Sequence, residues 1–472
     1  VRLYGEHVRA FHELPEPEVT DVKLRHLRQV ACRAMADARA PHAGPVHLNL
    51  PFEKPLEPTP VTGDVPEEFQ AEHPLAATGR PDGSPFTTIH PSSVEASEAA
   101  LQHLVEAIQA SPRGLIVCGP STAPSRTGPA ALALARATGY PLIADPLSGA
   151  RFAPGAPEHA LAHADLFLRA PDLLEELAPD LVLRIGATPT SKHLAAYLAE
   201  HQHAHQVVID PGTRYMDHLA SASTYLRGDP EHTCQHLARR LQPVADAAWQ
   251  RAWQAAEQAT APVLSEALDR HPYEATVLRD VTQALPDGAS LFVSNSMPIR
   301  DLDAACPPQD RAINVHANRG ASGIDGITST AAGIAAATGP TVAVVGDLAF
   351  LHDANGLQAV ADEQLPLVLV VLNNDGGAIF QHLPIRDHEP PFTQRFTTPH
   401  GRDLSHLAAL HAIPFTRTKG PGATAAALQQ ALYEEGPHIL EVPSDREDNH
   451  RRHEDVAQAV VDEIQRHTEE TP

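Results

Sequence analysis

Apolar residues fall into short continuous runs set between amphipathic stretches, and the two alternate along most of the chain. Residues 21–38 carry a helical pattern, and 44–51 form a short apolar strand after it. That pair is too small to close a core of its own, so residues 1–55 read as the last helix and strand of something larger. From 53 to 91 the pattern dissolves into Pro, Gly, Thr and Glu, and a linker is expected over 56–92. Residues 93–242 then alternate regularly. Helices are expected at 93–110, 129–138 and 192–200, and strands at 114–118, 141–145, 181–185 and 207–210. An Ala-rich helix at 245–268, within a connecting stretch of 243–272, leads to a second alternating region over 273–467. There the strands are expected at 290–293, 312–316, 341–345, 367–372, 414–418 and 438–442, with a terminal helix at 454–467. Unbroken apolar strands separated by helices are the mark of parallel sheets covered on both faces. The fold class is therefore α/β, with two doubly wound parallel-sheet domains and the C-terminal remnant of a third.

Composition changes this picture in three places. The net charge of −24 repels phosphate backbones and anionic membrane surfaces, which argues against binding to nucleic acid by charge neutralisation. Proline, at 44 of 472 residues, exceeds the usual share of about 5%, and much of the excess is expected in loops and the linker. The four cysteines, Cys32, Cys118, Cys234 and Cys306, are far apart and form no CxxC, so a reducing cytoplasmic setting without disulfides is expected. No apolar run approaches the ~20 residues needed to span a bilayer. The chain opens on Val1-Arg2-Leu3 without a Met.

Ligand chemistry in doubly wound sheets gathers at the carboxyl ends of strands. Two such ends stand out: Gly346-Asp347-Leu348-Ala349 and Asn373-Asn374-Asp375-Gly376-Gly377. Either alone is an ordinary turn. Their separation allows one crossover, and a right-handed βαβ unit sets the two ends side by side. Together they offer a carboxylate, an amide carbonyl and a backbone carbonyl, hard oxygen ligands of low net charge. Mg²⁺ takes one or two carboxylates and completes its shell with water and substrate phosphates, so the pair is suited to a metal that carries a diphosphate.

At this point the chain resembles the thiamine-diphosphate-dependent enzymes, whose signature is Gly-Asp followed some two dozen residues later by Asn-Asn. The usual third Gly is Leu348 here. Further segments are similar to one branch, the 2-succinyl-5-enolpyruvyl-6-hydroxy-3-cyclohexene-1-carboxylate synthase family of menaquinone biosynthesis, in which Gly-Asp-Leu is normal. These are Ser294–Asp301, His316–Gly326, Gly346–Gly356, Gly376–Phe380 and, more weakly, Pro189–Lys192 and 44–52. The resemblance covers essentially the whole chain. It implies that Asp347, Asn374 and the carbonyl of Gly376 hold Mg²⁺ or Mn²⁺, and that Ser322, Gly323, Ile324, Gly346, Leu348 and Ala349 join them around thiamine diphosphate. Ile324 would be the apolar wedge that bends the cofactor.

The implied reaction decarboxylates 2-oxoglutarate and adds the succinyl carbanion to isochorismate, so carboxylates must be gripped. Arg300, Arg319 and Lys192 are expected to do so. Asn295 and Ser296 belong to the same substrate loop, and Ile379 and Phe380 would form an apolar wall. For the arginines the plain alternative is a surface ion pair, and for the apolar residues it is core packing. His193 stands where some relatives carry a second basic residue. Two other features carry less weight: the period-two histidines His201, His203 and His205, and the charged stretch 445–455, read as a solvated lead-in to the last helix.

The family activates its cofactor with a glutamate from an N-terminal pyrimidine-binding domain, usually the partner subunit's, and the resemblance places that glutamate upstream of Val1. The chain is therefore expected to be N-terminally incomplete, to lack synthase activity alone, and to assemble as a homodimer or tetramer. Two rival readings share part of the pattern. Another thiamine-diphosphate enzyme, of the 2-oxoacid decarboxylase or acetohydroxyacid synthase type, needs Asp347 and Asn374 but not Arg300 or Arg319. A non-catalytic nucleotide- or cofactor-binding α/β protein is the other, and it would bind thiamine diphosphate with an affinity indifferent to Mg²⁺.

Overall fold

A computed structural model describes residues 2–39, 43–54, 62–90, 92–212, 215–434 and 436–470. The chain divides into two compact units, one of Val1–Ala96 with Pro211–Arg214 and Arg227–Asp229, the other holding the rest.

In the first unit, β1 (Ala10–Glu13) pairs in parallel with β2 (Val46–Asn49), Ala10 opposite Val46. The helix Asp21–Arg39 joins them and buries Val30 and Ala34. Within the expected linker lie two short helices, Glu67–Glu72 and Pro74–Ala77; residues 55–61 and 91 fall outside the described set. The second short helix begins on a proline, whose fixed φ suits a first helical position. Its last carbonyls are held by the Arg28 guanidinium, with Nε donating to Ala76 O at 2.7 Å and Nη2 to Ala77 O at 2.8 Å. Proline content thus signalled a break in the long-range pattern but concealed local order.

The second unit contains two six-stranded sheets, all of whose neighbouring strands pair in parallel. The first is built from β3 (Gly114–Cys118), β4 (Leu142–Ala144), β5 (Ala160–Leu161), β6 (Leu181–Ile185), β7 (His205–Ile209) and β8 (Thr224–Leu226), in the order β5-β4-β3-β6-β7-β8. The second comprises β9 (Ser290–Val293), β10 (Asn314–His316), β11 (Thr341–Gly346), β12 (Leu367–Asn373), β13 (Phe415–Arg417) and β14 (His438–Pro443), in the order β10-β9-β11-β12-β14-β13. β5, two residues long, is too short to leave a periodic signature, and β8 runs from exposed Thr224 to buried Leu226 without an apolar run. β3 and β6 are buried at every position, which is why they read as unbroken apolar runs.

The connecting helix Ala247–Arg270 opens on Asp246, whose carboxylate accepts the Ala248 and Trp249 N–H groups at 2.7 and 3.0 Å. It drives Trp249 and Trp253 into the core of the first sheet, where Trp253 meets Phe167 and Tyr197 edge-on. Two helices start earlier than the pattern suggests. The helix Pro124–Thr138 carries Pro129 in its interior, and that proline masked its first turn. The terminal helix begins at Arg446 rather than 454. The reading of 445–455 as solvated is corrected here: Asn449 is buried, and His453 Nε2 lies 2.7 Å from Asp301 Oδ1.

Arg151, fully buried, ties the two sheets together. Its Nε donates to Ala144 O at 2.7 Å, its Nη2 to the Asp303 carboxylate at 2.7 Å, and its Nη1 to Asp303 O at 2.5 Å. Among the described residues no helix is long and apolar enough to cross a membrane.

Candidate active site

β11 and β12 are adjacent, with Gly346 opposite Leu372, so the two singled-out strand ends do lie side by side. The crossover between them holds two short helices, Asp347–His352 and Gly356–Asp362, rather than one long one. Asp347 follows Gly346 directly and is almost wholly buried. Its Oδ1 accepts the Leu348 N–H at 2.6 Å and its Oδ2 accepts the Gly376 N–H at 2.9 Å, which stitches the first loop to the second. His400 Nε2 stands 3.3 Å from Oδ2. Burial pushes the Asp347 carboxyl above its ordinary range, while the amide and His400 contacts pull the other way.

The second loop needs glycine where it turns. Gly376 has φ of +137°, and a Cβ there would meet Thr397 O at 2.2 Å. Asp375, also at positive φ, holds the facing segment by accepting the His400 and Gly401 N–H groups at 2.9 and 2.7 Å. Arg446 Nη1 donates to the carbonyls of Asn374 and Asp375 at 3.2 and 2.9 Å. The Gly376 carbonyl accepts Ala378 N–H at 3.1 Å, which uses one of its two lone pairs.

Asn374 is buried, and its Nδ2 donates to Glu274 Oε1 at 2.8 Å. Its Oδ1, equally buried, has no hydrogen-bond partner. A buried amide oxygen without a donor costs about 1–3 kcal/mol, so something outside the chain is expected to complete it. A bare amide oxygen, a buried carboxylate and a loop carbonyl form a donor set that fits a hard divalent cation.

The substrate-loop residues gather at the ends of β9 and β10. Asn295, buried, donates from Nδ2 to Gly323 O at 2.8 Å and accepts from Arg319 Nη1 at 3.4 Å, so it joins both loops. Ser296 sits at φ +75°, and its carbonyl accepts from Arg300 Nη1. Arg300 lies on the helix Met297–Ala305. Burial, then the neighbouring Arg319 cation, holds its pKa below the usual guanidinium value, so two cations share one space. Ser322, at φ +59°, and Ile324 are exposed. Ile379 and Phe380 lie half-buried in the turn Ala378–His382, and Phe380 meets Phe396 edge-on.

Lys192 is exposed at the first position of its helix. Half-buried Asp165 pins that end: it accepts from Ser191 Oγ at 2.6 Å and lies 3.2 Å from His193 Nδ1. Lys192 is close enough to His382 to help depress it, though burial is the main cause, with His453 and His450 next; that imidazole falls to about 3.

Several residues of the site left no mark in the sequence. Glu274, Ser444, His400 and Asn449 are dispersed over the chain, and only the fold assembles them. The period-two histidines do not converge on a metal site: His201 meets Leu174 O and His205 meets Thr224. A different trio, His382, His450 and Glu454, comes close together. The two imidazoles are bonded to each other through Nδ1 at 3.2 Å, and the Arg386 guanidinium occupies His450 Nε2, so the trio is better described as a polar network.

A doubly wound sheet with a carboxylate loop and an amide loop at adjacent strand ends defines the thiamine-diphosphate-dependent class. Sequence comparison agrees: the "Middle domain of thiamine pyrophosphate" family matches residues 83–293, and the "Thiamine pyrophosphate enzyme, C-terminal TPP binding domain" family matches 308–442. The chain is similar in fold to benzoylformate decarboxylase from Polynucleobacter necessarius, with a TM-score of 0.64 at 17% identity, over 94% of this chain and 77% of that one. It is 43% identical over 463 residues to the 2-succinyl-5-enolpyruvyl-6-hydroxy-3-cyclohexene-1-carboxylate synthase of Halobacterium salinarum, covering 98% of this chain and 78% of the relative. The synthase of Halorubrum lacusprofundi is 40% identical over 494 residues, covering 97% and 78%. The chain belongs to this synthase family.

Proposed function

We propose that the chain takes part in the synthase reaction of its family, in which 2-oxoglutarate loses CO2 and the remaining succinyl unit is joined to isochorismate in menaquinone biosynthesis, with the activating glutamate not contributed by the described residues. The observation that carries the cofactor half of this reading is the bare, buried Oδ1 of Asn374 beside Asp347. When bound, thiamine diphosphate supplies the carbanion-stabilising centre at which a 2-oxoacid decarboxylates. Asp347, Asn374 Oδ1 and the Gly376 carbonyl would hold Mg²⁺ or Mn²⁺, which in turn clamps the diphosphate. Ser322, Gly323 and Ile324 on one loop, and Gly346, Leu348 and Ala349 on another, would line the cofactor.

The substrate half rests on the paired cations. Arg300 and Arg319 repel each other in a partly buried space, and an anionic ligand relieves that repulsion. Both substrates are dicarboxylates, and a guanidinium grips a carboxylate with two parallel bonds. Asn295 fixes Arg319 through its Oδ1. Lys192 adds a point charge from the first sheet's side, and Asp165 holds the helix end that presents it. Ser296 shapes the loop through its strained backbone, while Ile379 and Phe380 give the pocket an apolar wall that excludes water.

Substitution of Arg300 tests the substrate half. With thiamine diphosphate and Mg²⁺ saturating, R300M is expected to weaken 2-oxoglutarate binding in calorimetry at least ~10-fold, as the loss of one charge-assisted bidentate contact requires. Cofactor affinity should stay unchanged. Unchanged 2-oxoglutarate affinity would favour another thiamine-diphosphate chemistry.

A further inference from the structure

An asparagine amide has two ends of nearly equal size and opposite polarity. Only the oxygen end can ligate a cation; the NH₂ end turned toward it would repel. A buried asparagine that serves as a ligand therefore needs something to choose the end, and the choice at Asn374 lies 100 positions away in sequence. The carboxylate oxygen Glu274 Oε1 accepts from Asn374 Nδ2 at 2.8 Å. Glu274 is fully buried at the start of the helix Glu274–Ala284 and is itself held in place. Its Oε1 also accepts from Ser444 Oγ at 2.6 Å, and its backbone N–H donates to Asn449 Oδ1 at 3.1 Å. With Nδ2 engaged on one side of the planar group, Oδ1 must face the other, and that is the oxygen left bare.

We propose that Glu274 is a positioning residue for the cation site: it locks the Asn374 amide with Oδ1 toward the metal and Nδ2 away from it. The inference rests on the reading of Asn374 as a cation ligand. Outer partners of this kind orient a ligand without touching the metal, and their loss typically lowers metal affinity 10–100-fold. Ser444 and Asn449 extend the support, so the terminal helix and the segment before it help to shape a site formed at β11 and β12.

The test is Mn²⁺ binding to the full chain with thiamine diphosphate present, read by electron paramagnetic resonance of the free ion. E274Q keeps an oxygen acceptor at the same reach and is expected to stay within about threefold of the parent. E274M removes the acceptor and E274D withdraws it by one methylene, and each should weaken Mn²⁺ about 10–100-fold. E274D carries the comparison if E274M does not fold. Because Glu274 acts through Asn374, the double variant E274M/N374A, or E274D/N374A, should bind no more weakly than N374A alone, whereas a general structural defect would add to it. Parent-like Mn²⁺ binding by E274M or E274D, or fully additive losses, would overturn the proposal. Weak binding by D347A together with intact binding by the Glu274 variants sinks only this inference. Intact binding by D347A sinks the cofactor reading on which it stands.

Discussion

Both sheets of the second unit are six-stranded and parallel, and each sets a buried aspartate directly after a strand, yet the two aspartates are proposed to serve different ends. Asp145, after β4, accepts the Leu147 N–H on Oδ1 and the Thr190 N–H on Oδ2, both at 2.8 Å, and so staples two loops. Asp347, after β11, also accepts two loop N–H groups. What separates them is the company they keep. Asp347 stands beside a loop whose amide oxygen is bare, and its carboxyl is pushed up by burial. A strand-end aspartate is by itself a piece of loop construction; a second buried acceptor without a donor is what supports the proposal of a ligand site at Asp347.

The comparison can be broken at several points. The largest effect is expected where the two sheets are joined. Removing Arg151 leaves Asp303 buried without its cation, and R151M is expected to cost about 3–5 kcal/mol in urea denaturation. A loss below 1 kcal/mol would show that the junction is held by apolar packing instead. Next comes the staple itself. D145A strands two loop amides and should cost about 2 kcal/mol of stability while leaving cofactor affinity unchanged. D347A also strands two loop amides and should cost a similar amount of stability, but it alone should abolish Mg²⁺-dependent cofactor binding. If both variants lose stability alike and both keep the cofactor, the distinction between staple and ligand fails.

The smallest effect concerns pH. His453 is half-buried, which lowers its pKa, but contact with Asp301 outweighs that desolvation and raises it above the ordinary histidine value. A folded pKa above the unfolded one means the protonated form favours folding. This contribution is complete below about pH 6.5 and is lost as pH rises through the folded value. Urea denaturation of the parent and of H453Q between pH 6 and pH 9 should show the parent losing its advantage toward alkaline pH. An advantage that grows with pH would reverse the assignment.

Much of the fold was legible because fully buried parallel strands are written as unbroken apolar runs: β3, β6, β11 and β12 fall where the pattern places them. Strand β5 and the first turns of the helix Arg446–Glu470 were not, one because two residues carry no period, the other because charged residues there are spent on internal contacts. The two proposed ligand loops could be read since each is a contiguous motif at a strand end. Glu274 could not: a lone glutamate opening a helix looks like any other first-turn acid, and only the tertiary fold brings it to Asn374. Arg151 was hidden in the same way, as a single cation in a Gly- and Ala-rich loop whose partner lies 152 positions on.

The central claim is that Asp347 and Asn374 form a cation site through which the cofactor diphosphate is held. Its most direct measurement is calorimetric titration of the chain with thiamine diphosphate, with Mg²⁺ and then with the metal chelated. The account predicts that Mg²⁺ tightens binding at least ~10-fold, about 1.4 kcal/mol, and that D347A removes this gain. Equal affinity with and without the metal, in parent and variant alike, would contradict it.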